Sequence, residues 1–185
     1  MLSQDQLQVM WDKQALHDNL MRYCRALDRM DRDGIAATYW PDSWDDHAVY
    51  IGPGQQWADE ALRWKDKSWQ VNHHVSNVYS EIDGTRAKRE SMFIVVCDFK
   101  ESGMSMLEGG RYRDLCEKRD GEWRILNRVC IWDWSQEIPT KPAWGQIGQP
   151  RVTNWGDKWP DDPIYKDWSK SEPRPYPRDD GSFPT

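Results

Sequence analysis

The segment EIDGTRAKRESMFIVV, residues 81–96, decides the fold because two strand-like runs flank its Asp83-Gly84 pair, a strong hairpin signal. Strand-forming residues such as Val, Ile and Phe are concentrated after that turn. A second pair of the same type, Asp120-Gly121, stands further along the chain. Working outward from these turns, we predict strands at residues 71–82, 86–99, 104–118 and 122–134. Successive strands joined by tight turns indicate an antiparallel meander.

Upstream of the meander, the spacing of apolar residues becomes helical. Leu16, Leu20 and Leu27 recur along one side with charged residues between them, which predicts a helix over residues 3–29. Three shorter elements are predicted between this helix and the meander: helices at residues 33–39 and 57–69, and a strand at residues 44–51.

Helices followed by an antiparallel sheet make an α+β domain. We expect a curved sheet wrapped around the N-terminal helices as a cone-shaped barrel, with a pocket where the helices leave the cone unfilled. At 185 residues the chain is too short for two ordinary domains, so residues 1–138 are predicted to form this one. Residues 139–185, rich in Trp and Pro, are predicted to be an irregular arm that covers the pocket mouth or a neighbouring subunit.

Composition and charge argue against several classes of protein. The formal net charge is −6 and no basic stripe is present, so a nucleic-acid partner is not expected. The sequence has no apolar run of membrane-spanning length and no secretory signal pattern, which indicates a cytoplasmic protein without a membrane partner. The four cysteines stand far apart, so we expect free thiols and no metal site.

The apolar face of the first predicted helix ends in a carboxylate. Asp28 lies four residues after Cys24 and eight after Leu20, so it continues the face that should enter the core. A buried carboxylate is costly unless it is paired or takes part in chemistry. Asp28 is therefore a candidate catalytic residue.

Two of the four histidines open the first strand of the meander, in the segment QVNHHVSN at residues 70–77. Strand alternation places His73 on one face and His74 on the other, so only one of them can face the pocket. A histidine oriented there by Asp28 would form a proton-transferring dyad. The alternative is that both histidines are edge or surface residues, because spacing along the chain does not establish contact.

Three segments along residues 5–135 resemble one family in the same order: YCRALDRMDRDGIAATYWPD, HHVSN and EKRDGEWRILNR. They are similar to the SnoaL-like branch of the nuclear-transport-factor-2-like superfamily, which includes scytalone dehydratase, hexachlorocyclohexane dehydrochlorinase and the bile-acid dehydratases. The resemblance implies the cone fold and a catalytic His–Asp dyad. Asp28 occupies the acidic position, and His73 fits the histidine position better than His74 because it stands four residues before Asn77.

The resemblance also implies residues that bind the substrate. Tyr23 matches a pocket residue able to donate a hydrogen bond to a leaving oxygen. Arg128 matches a pocket arginine, with an ion pair to a nearby acid as the alternative. Asp45 and His47 share a strand face where relatives place Trp or Tyr, so an inward orientation would add a polar pair. Tyr112 either lines the pocket or points outward from its strand.

A His–Asp dyad in an apolar cone is sufficient for elimination without metal or nucleotide, so we predict a cofactor-independent lyase. The resemblance implies dehydration, and retro-aldol release of formaldehyde requires the same deprotonation. The 13 tryptophans favour a bulky aromatic or polycyclic substrate, such as an aromatic diol or a steroid. The resemblance adds a lignin-derived diarylpropane as an example, because members of the superfamily act on such compounds. Two alternatives stay open: a polyketide-type cyclase or isomerase, and a non-catalytic small-molecule-binding protein of the same fold. The open sheet face of such cones implies a homo-oligomer, a dimer or a trimer.

Overall fold

The computed structural model describes residues 1–65, 67–99, 102–139 and 156–165, except for the side chain of Trp69. The helices are α1 Gln4–Asp28, α2 Arg32–Ala37 and α3 Trp57–Leu62. The strands are β1 Tyr39–Asp46, β2 Ile51–Pro53, β3 Ser68–Asp83, β4 Arg86–Phe99, β5 Met104–Arg119 and β6 Glu122–Pro139. Short 3-10 turns cover Gly54–Gln56 and Pro163–Tyr165.

Helix α1 begins where the sequence supplies a capping box. Oγ of Ser3 accepts a hydrogen bond from the backbone N–H of Gln6 at 3.2 Å, and Oε1 of Gln6 accepts one from the N–H of Ser3 at 2.9 Å. Two N–H groups that would otherwise be unpaired are thereby satisfied. The predicted apolar face, with Leu16 and Leu20 fully buried, packs into the core, and Asp28 is the last residue of the helix.

The six described strands form one open sheet in the order β2-β1-β6-β5-β4-β3. Strands β3 to β6 are the predicted antiparallel meander, while β1 pairs in parallel with β6. Helix α1 packs against β3 and β6. The α+β class with helices against a curved sheet is therefore confirmed, as an open cone and not a closed barrel.

Both hairpins form, and one of the two turn signals lies where the sequence predicts. Asp120 and Gly121 connect β5 to β6 with φ values of 51° and 84°, the left-handed pair that a type I′ turn requires. In the other hairpin Asp83 still pairs with Arg86, so the turn is made by Gly84 and Thr85, one residue later than predicted.

Several elements differ in extent from the prediction, and two of them, a strand and a helix, end earlier than predicted. The strand expected at residues 44–51 is broken after Asp46, because Ala48 adopts a φ of 64° and the N–H of His47 donates to the carbonyl of Tyr50 at 2.9 Å. Strand β2 then runs back beside β1. The helix expected at residues 57–69 ends at Leu62, because Ser68 already belongs to the sheet.

The described part of the C-terminal arm, residues 156–165, lies against the end of α1. The N–H of Trp159 donates to the carbonyl of Arg29 at 2.7 Å. The guanidinium of Arg25 lies 4.8 Å from the centre of the Tyr165 ring. This part of the arm therefore sits beside the helix end that carries Asp28, and the rest of the predicted arm lies outside the described residues. None of the helices in the described ranges is long and apolar enough to cross a membrane.

Candidate active site

The carboxylate of Asp28 and the imidazole of His73 form a hydrogen-bonded pair. Oδ1 of Asp28 lies 2.5 Å from Nδ1 of His73. The backbone N–H of His73 also donates to the two carboxylate oxygens, at 3.0 and 3.1 Å. Because Asp28 ends α1 and His73 lies in β3, these bonds join the helix to the sheet. The structure thus brings the two predicted residues into contact.

The pair leaves the second nitrogen of His73 available. A carboxylate only accepts hydrogen bonds, so Nδ1 is the donor of this bond, and in the neutral imidazole Nε2 is then the nitrogen with the free lone pair. Within the described ranges Nε2 has no hydrogen-bond partner, and His73 lines a cavity. His74 is exposed on the opposite face of β3. The alternation of the strand therefore separates the two histidines as predicted.

The cavity beside His73 has a volume of about 420 Å³, within the range of ligand pockets. Its lining is predominantly apolar and aromatic. Trp57, Ala61, Trp64 and Ser68, which share one side of the segment predicted as a helix, all line it even though the helix ends early. Tyr112 and Trp132 extend the aromatic lining across the sheet. Phe93, which is not a lining residue, stacks on Tyr112 with ring centroids 4.5 Å apart.

A second His–Asp pair is buried beside this cavity. Nδ1 of His47 is hydrogen-bonded to Asp45, whose other oxygen accepts a bond from the hydroxyl of Tyr39 at 2.6 Å. Nε2 of His47 lies 3.2 Å from the hydroxyl of Tyr23, which also accepts the indole N–H of Trp57 at 2.9 Å. Asp45 and His47 therefore do face inward, but both nitrogens of His47 are bonded to the protein.

Tyr23 and Tyr112 occupy different layers of the site. Tyr112 is among the cavity-lining residues, which decides between the two predicted orientations. Tyr23 is fully buried behind His47 and does not line the cavity. Burial raises the pKa of both phenols well above the ordinary value of 10.0. Both side chains are therefore neutral hydrogen-bonding groups, and the hydroxyl of Tyr23 is already engaged by the protein.

Arg128 lies behind the cavity wall and not in it. Its guanidinium donates to the two carboxylate oxygens of Asp114 at 2.7 and 2.8 Å, and Asp114 also accepts from Arg89. The guanidinium carbon lies 4.2 and 4.0 Å from the ring centres of Tyr23 and Tyr112. Although burial opposes its charge, Asp114 holds the pKa of Arg128 well above its ordinary value. The ion-pair alternative therefore describes the contacts of Arg128 in the structure, and Arg128 is not among the cavity-lining residues.

Glu108 on β5 also lines the cavity, and the sequence reasoning missed it. Burial raises the pKa of its carboxyl group, and the nearby His73 opposes that shift. Among the described residues Glu108 has no hydrogen-bond or ion-pair partner. The signal was present in the sequence, because Glu108 and Tyr112 are four residues apart on one strand and alternation puts them on the same face.

The cysteines and acidic side chains supply neither a thiolate nor a metal centre in the described part of the chain. All four cysteines are free. Burial raises the pKa of the cavity-lining thiols of Cys97 and Cys130 to about 12 each. No group of three or more His, Cys, Asp or Glu side chains in the described ranges could hold a metal ion.

Comparison with known proteins identifies the family and the fold. Among solved structures, a hexachlorocyclohexane dehydrochlorinase superposes with a TM-score of 0.67 at 17% identity, over 73% of this chain and 94% of its own. A Novosphingobium aromaticivorans protein named as a candidate scytalone dehydratase gives 0.65 at 17% identity, over 71% and 91%. A Mycobacterium tuberculosis protein of unknown function gives 0.59 at 22% identity, over 69% and 75%.

These structural similarities establish the fold alone. A search of curated proteins found no significant match. The model of the SnoaL-like domain, in contrast, matches residues 8–129, more than half of the chain. This match covers α1, the sheet as far as β6, and both members of the Asp28–His73 pair. The chain belongs to the SnoaL-like domain family.

Proposed function

We propose that this protein is a lyase that uses His73 as a general base, oriented by Asp28, to eliminate a small molecule from a bulky aromatic or polycyclic hydroxylated substrate. The observation that carries the proposal is the geometry of His73. Nδ1 is fixed by the carboxylate at 2.5 Å, while Nε2 has no partner in the described ranges and the side chain of His73 lines an apolar cavity. A positioned base of this kind is what proton abstraction requires.

The three hydrogen bonds between Asp28 and His73 support a positioning role for the carboxylate. They fix both the backbone and the ring of His73, so the imidazole has little freedom to rotate. The negative charge also stabilises the imidazolium that forms when Nε2 takes a proton. Asp28 therefore acts through His73 and does not itself need to reach the substrate.

His47 is a weaker candidate for the base, for a geometric reason. Nδ1 is bonded to Asp45 and Nε2 lies 3.2 Å from the Tyr23 hydroxyl. If Nδ1 carries the proton, Nε2 accepts the Tyr23 O–H, and no lone pair is left for a substrate. His47 instead contributes its ring to the cavity wall, where it stacks on Trp57.

The cavity supports the proposed substrate class. Its aromatic walls favour flat hydrophobic molecules, since offset and edge contacts between rings stabilise such complexes. Because most lining residues are apolar, hydroxyl groups of a substrate would find polar partners chiefly at His73 and Glu108. A hydroxylated aromatic molecule would therefore be oriented with its reacting atoms near the base.

Two reactions can begin with deprotonation by Nε2, from carbon in one and from oxygen in the other. In dehydration, Nε2 takes a proton from carbon, the electron pair of that C–H bond forms a C=C bond, and the C–O bond breaks with its electron pair on oxygen, which leaves as water after protonation. In retro-aldol cleavage, Nε2 takes the hydroxyl proton of a hydroxymethyl group, the O–H electron pair forms the C=O bond of formaldehyde, and the C–C bond breaks with its electron pair on the adjacent carbon, which then takes a proton from solvent. The released molecule distinguishes the two reactions.

The test is to incubate the protein, without added cofactor and both with and without EDTA, with a panel of hydroxylated aromatic, diarylpropane and steroid compounds. Mass spectrometry of the products and a formaldehyde assay complete the mass balance. Loss of water or formaldehyde is the expected result. A product with the same mass as the substrate would show that the protein is an isomerase or cyclase and not a lyase. Binding without turnover across the panel would contradict an enzymatic role. Loss of activity on adding EDTA would contradict metal-free chemistry.

A further inference from the structure

Glu108 and His73 stand on one cross-strand row of the sheet. His73 pairs with Val95 on β4, and Val95 pairs with Glu108 on β5. With adjacent strands about 4.8 Å apart, their Cα atoms are separated by about 10 Å. All three side chains line the same cavity. A substrate resting on Val95 would therefore have His73 on one side and Glu108 on the other.

The carboxyl group of Glu108 is unusual in lacking a partner. In the ranges that the structure describes, it makes no hydrogen bond or ion pair, although the other half-buried carboxylate of the site, Asp28, accepts three bonds. A carboxyl group half-buried in apolar surroundings without a donor favours its neutral, protonated form. Such a group can donate a hydrogen bond and a proton.

The titratable groups around Glu108 are compatible with a protonated carboxyl group. The titratable side chains that face it are His73 on β3, Cys97 on β4 and Cys130 on β6. The two thiols stay neutral because burial raises their pKa to about 12. His73 is thus the one described neighbour that can carry a positive charge, and Asp28 already balances that charge.

We propose that Glu108 is the general acid of the site, protonating the leaving oxygen of the substrate while His73 removes the proton on the other side of the scissile bond. The proposal rests on the proposed function, since it needs His73 as the base. It assigns the two ends of the row to opposite roles, and it requires a substrate whose leaving group is a hydroxyl.

The proposed step balances in atoms and electrons. The C–H bond breaks, its proton goes to Nε2 of His73, and its electron pair forms the C=C bond. The C–O bond breaks with its electron pair on oxygen, and the proton of Glu108 converts that oxygen into water. The imidazolium and carboxylate left on the protein return to their starting forms when solvent carries a proton from His73 to Glu108.

Two probes separate the acid from the base. Both are ketones with a para-nitrophenyl group on the β carbon. The leaving group on that carbon is fluorine in one probe and a hydroxyl group in the other. Both give the same chromophoric enone and both need the base, but fluoride leaves without a proton donor far more readily than hydroxide.

Three variants test the two roles: Glu108→Gln, Glu108→Asp and His73→Gln. Glu108→Asp retains a carboxyl group. The matched control is Glu90→Gln, on the exposed face of β4.

We expect Glu108→Gln to lower the rate of water elimination by about 10²–10⁴-fold while fluoride elimination stays within about threefold of wild type. Glu108→Asp should restore part of the water elimination, His73→Gln should lose both reactions, and Glu90→Gln should lose neither. A Glu108→Gln variant that keeps both reactions, or loses both equally, overturns the acid role. If the wild-type protein eliminates fluoride but not water, the acid role also fails while the base survives.

Failure of the proposed function has a different signature, namely no elimination from either probe by the wild-type protein. An infrared pH titration then decides the state of Glu108 without turnover. The difference spectrum between wild type and Glu108→Gln should show the carbonyl band of a protonated acid persisting to higher pH than the band removed by Glu90→Gln. Bands that disappear at the same pH overturn the proposal.

Discussion

The imidazole of His47 lies nearly parallel to the indole of Trp57, with ring centroids 4.0 Å apart and an angle of 10° between the planes. The same two rings are tied together through the hydroxyl of Tyr23, which contacts Nε2 of His47 and accepts the indole N–H. Stacking and hydrogen bonding therefore fix one wall of the cavity. A wall built in this way is rigid before a ligand arrives.

Removing the Tyr23 hydroxyl should loosen that wall. Tyr23→Phe leaves the indole N–H of Trp57 and Nε2 of His47 without their partner, at a cost of about 1–3 kcal/mol in the free energy of unfolding. Urea unfolding measures the loss. Tyr79→Phe, at an exposed tyrosine of β3, is the matched control and should change stability by less than about 0.5 kcal/mol. Equal losses in the two variants would contradict the role given to Tyr23.

Asp114 is predicted to be a major stabilising residue although it does not line the cavity. It is the shared carboxylate of Arg89 and Arg128, and all three side chains are buried. Asp114→Asn leaves two buried guanidinium groups without a counter-charge, so a loss of about 3–5 kcal/mol is expected in urea unfolding. Asp133→Asn removes the exposed pair with Arg111 and should cost less than about 1 kcal/mol. A smaller loss for Asp114→Asn than for Asp133→Asn would contradict this account.

The same carboxylate should make the fold sensitive to acid. Burial alone would raise the pKa of Asp114, but Arg128 and Arg89 hold it below the ordinary value of 3.8. The stabilisation is therefore fully present above that value and is lost as the pH falls through the lower pKa of the folded state. The stability gap between wild type and Asp114→Asn, followed by urea unfolding along a pH series, should be constant near neutrality and narrow under acidic conditions. A gap that is independent of pH would be the contrary result.

The cysteines should react slowly in the native state. Burial raises the pKa of Cys24, Cys97 and Cys130 to about 12 and that of Cys116 to about 11. Since the thiolate is the reactive form, alkylation by iodoacetamide at mildly alkaline pH should be at least about tenfold slower than in the urea-unfolded chain. Mass spectrometry counts the modified thiols. Fast labelling of Cys97 or Cys130 in the folded protein would reveal a thiolate in the cavity.

The sequence predicted those parts of the molecule that depend on local signals. Turn pairs such as Asp120-Gly121 fixed the hairpins because their left-handed conformations match the twist of the strands. The Asp28–His73 contact was not a local signal and came from the family resemblance. The broken strand after Asp46 was missed because the positive φ of Ala48 is imposed by the return of β2.

Two site residues show why burial cannot be read from a pattern alone. Arg128 was assigned to the pocket by resemblance, but Asp114, on the neighbouring strand, holds it in the layer behind the wall. Glu108 was overlooked because a single glutamate in a strand is usually exposed, although strand alternation put it on the same face as Tyr112. The predicted dimer or trimer and the cytoplasmic location stay predictions.

The proposal that Nε2 of His73 is the base is tested most directly by comparing two adjacent histidines. On the β-fluoro ketone, in buffer with EDTA, His73→Gln should lower kcat/KM by about 10²–10⁴-fold, and Asp28→Asn should also lower it because the ring loses its orientation. His74→Gln, one residue away on the exposed face of β3, should retain the wild-type value. Wild-type kcat/KM in His73→Gln, or an equal loss in His74→Gln, would contradict the account.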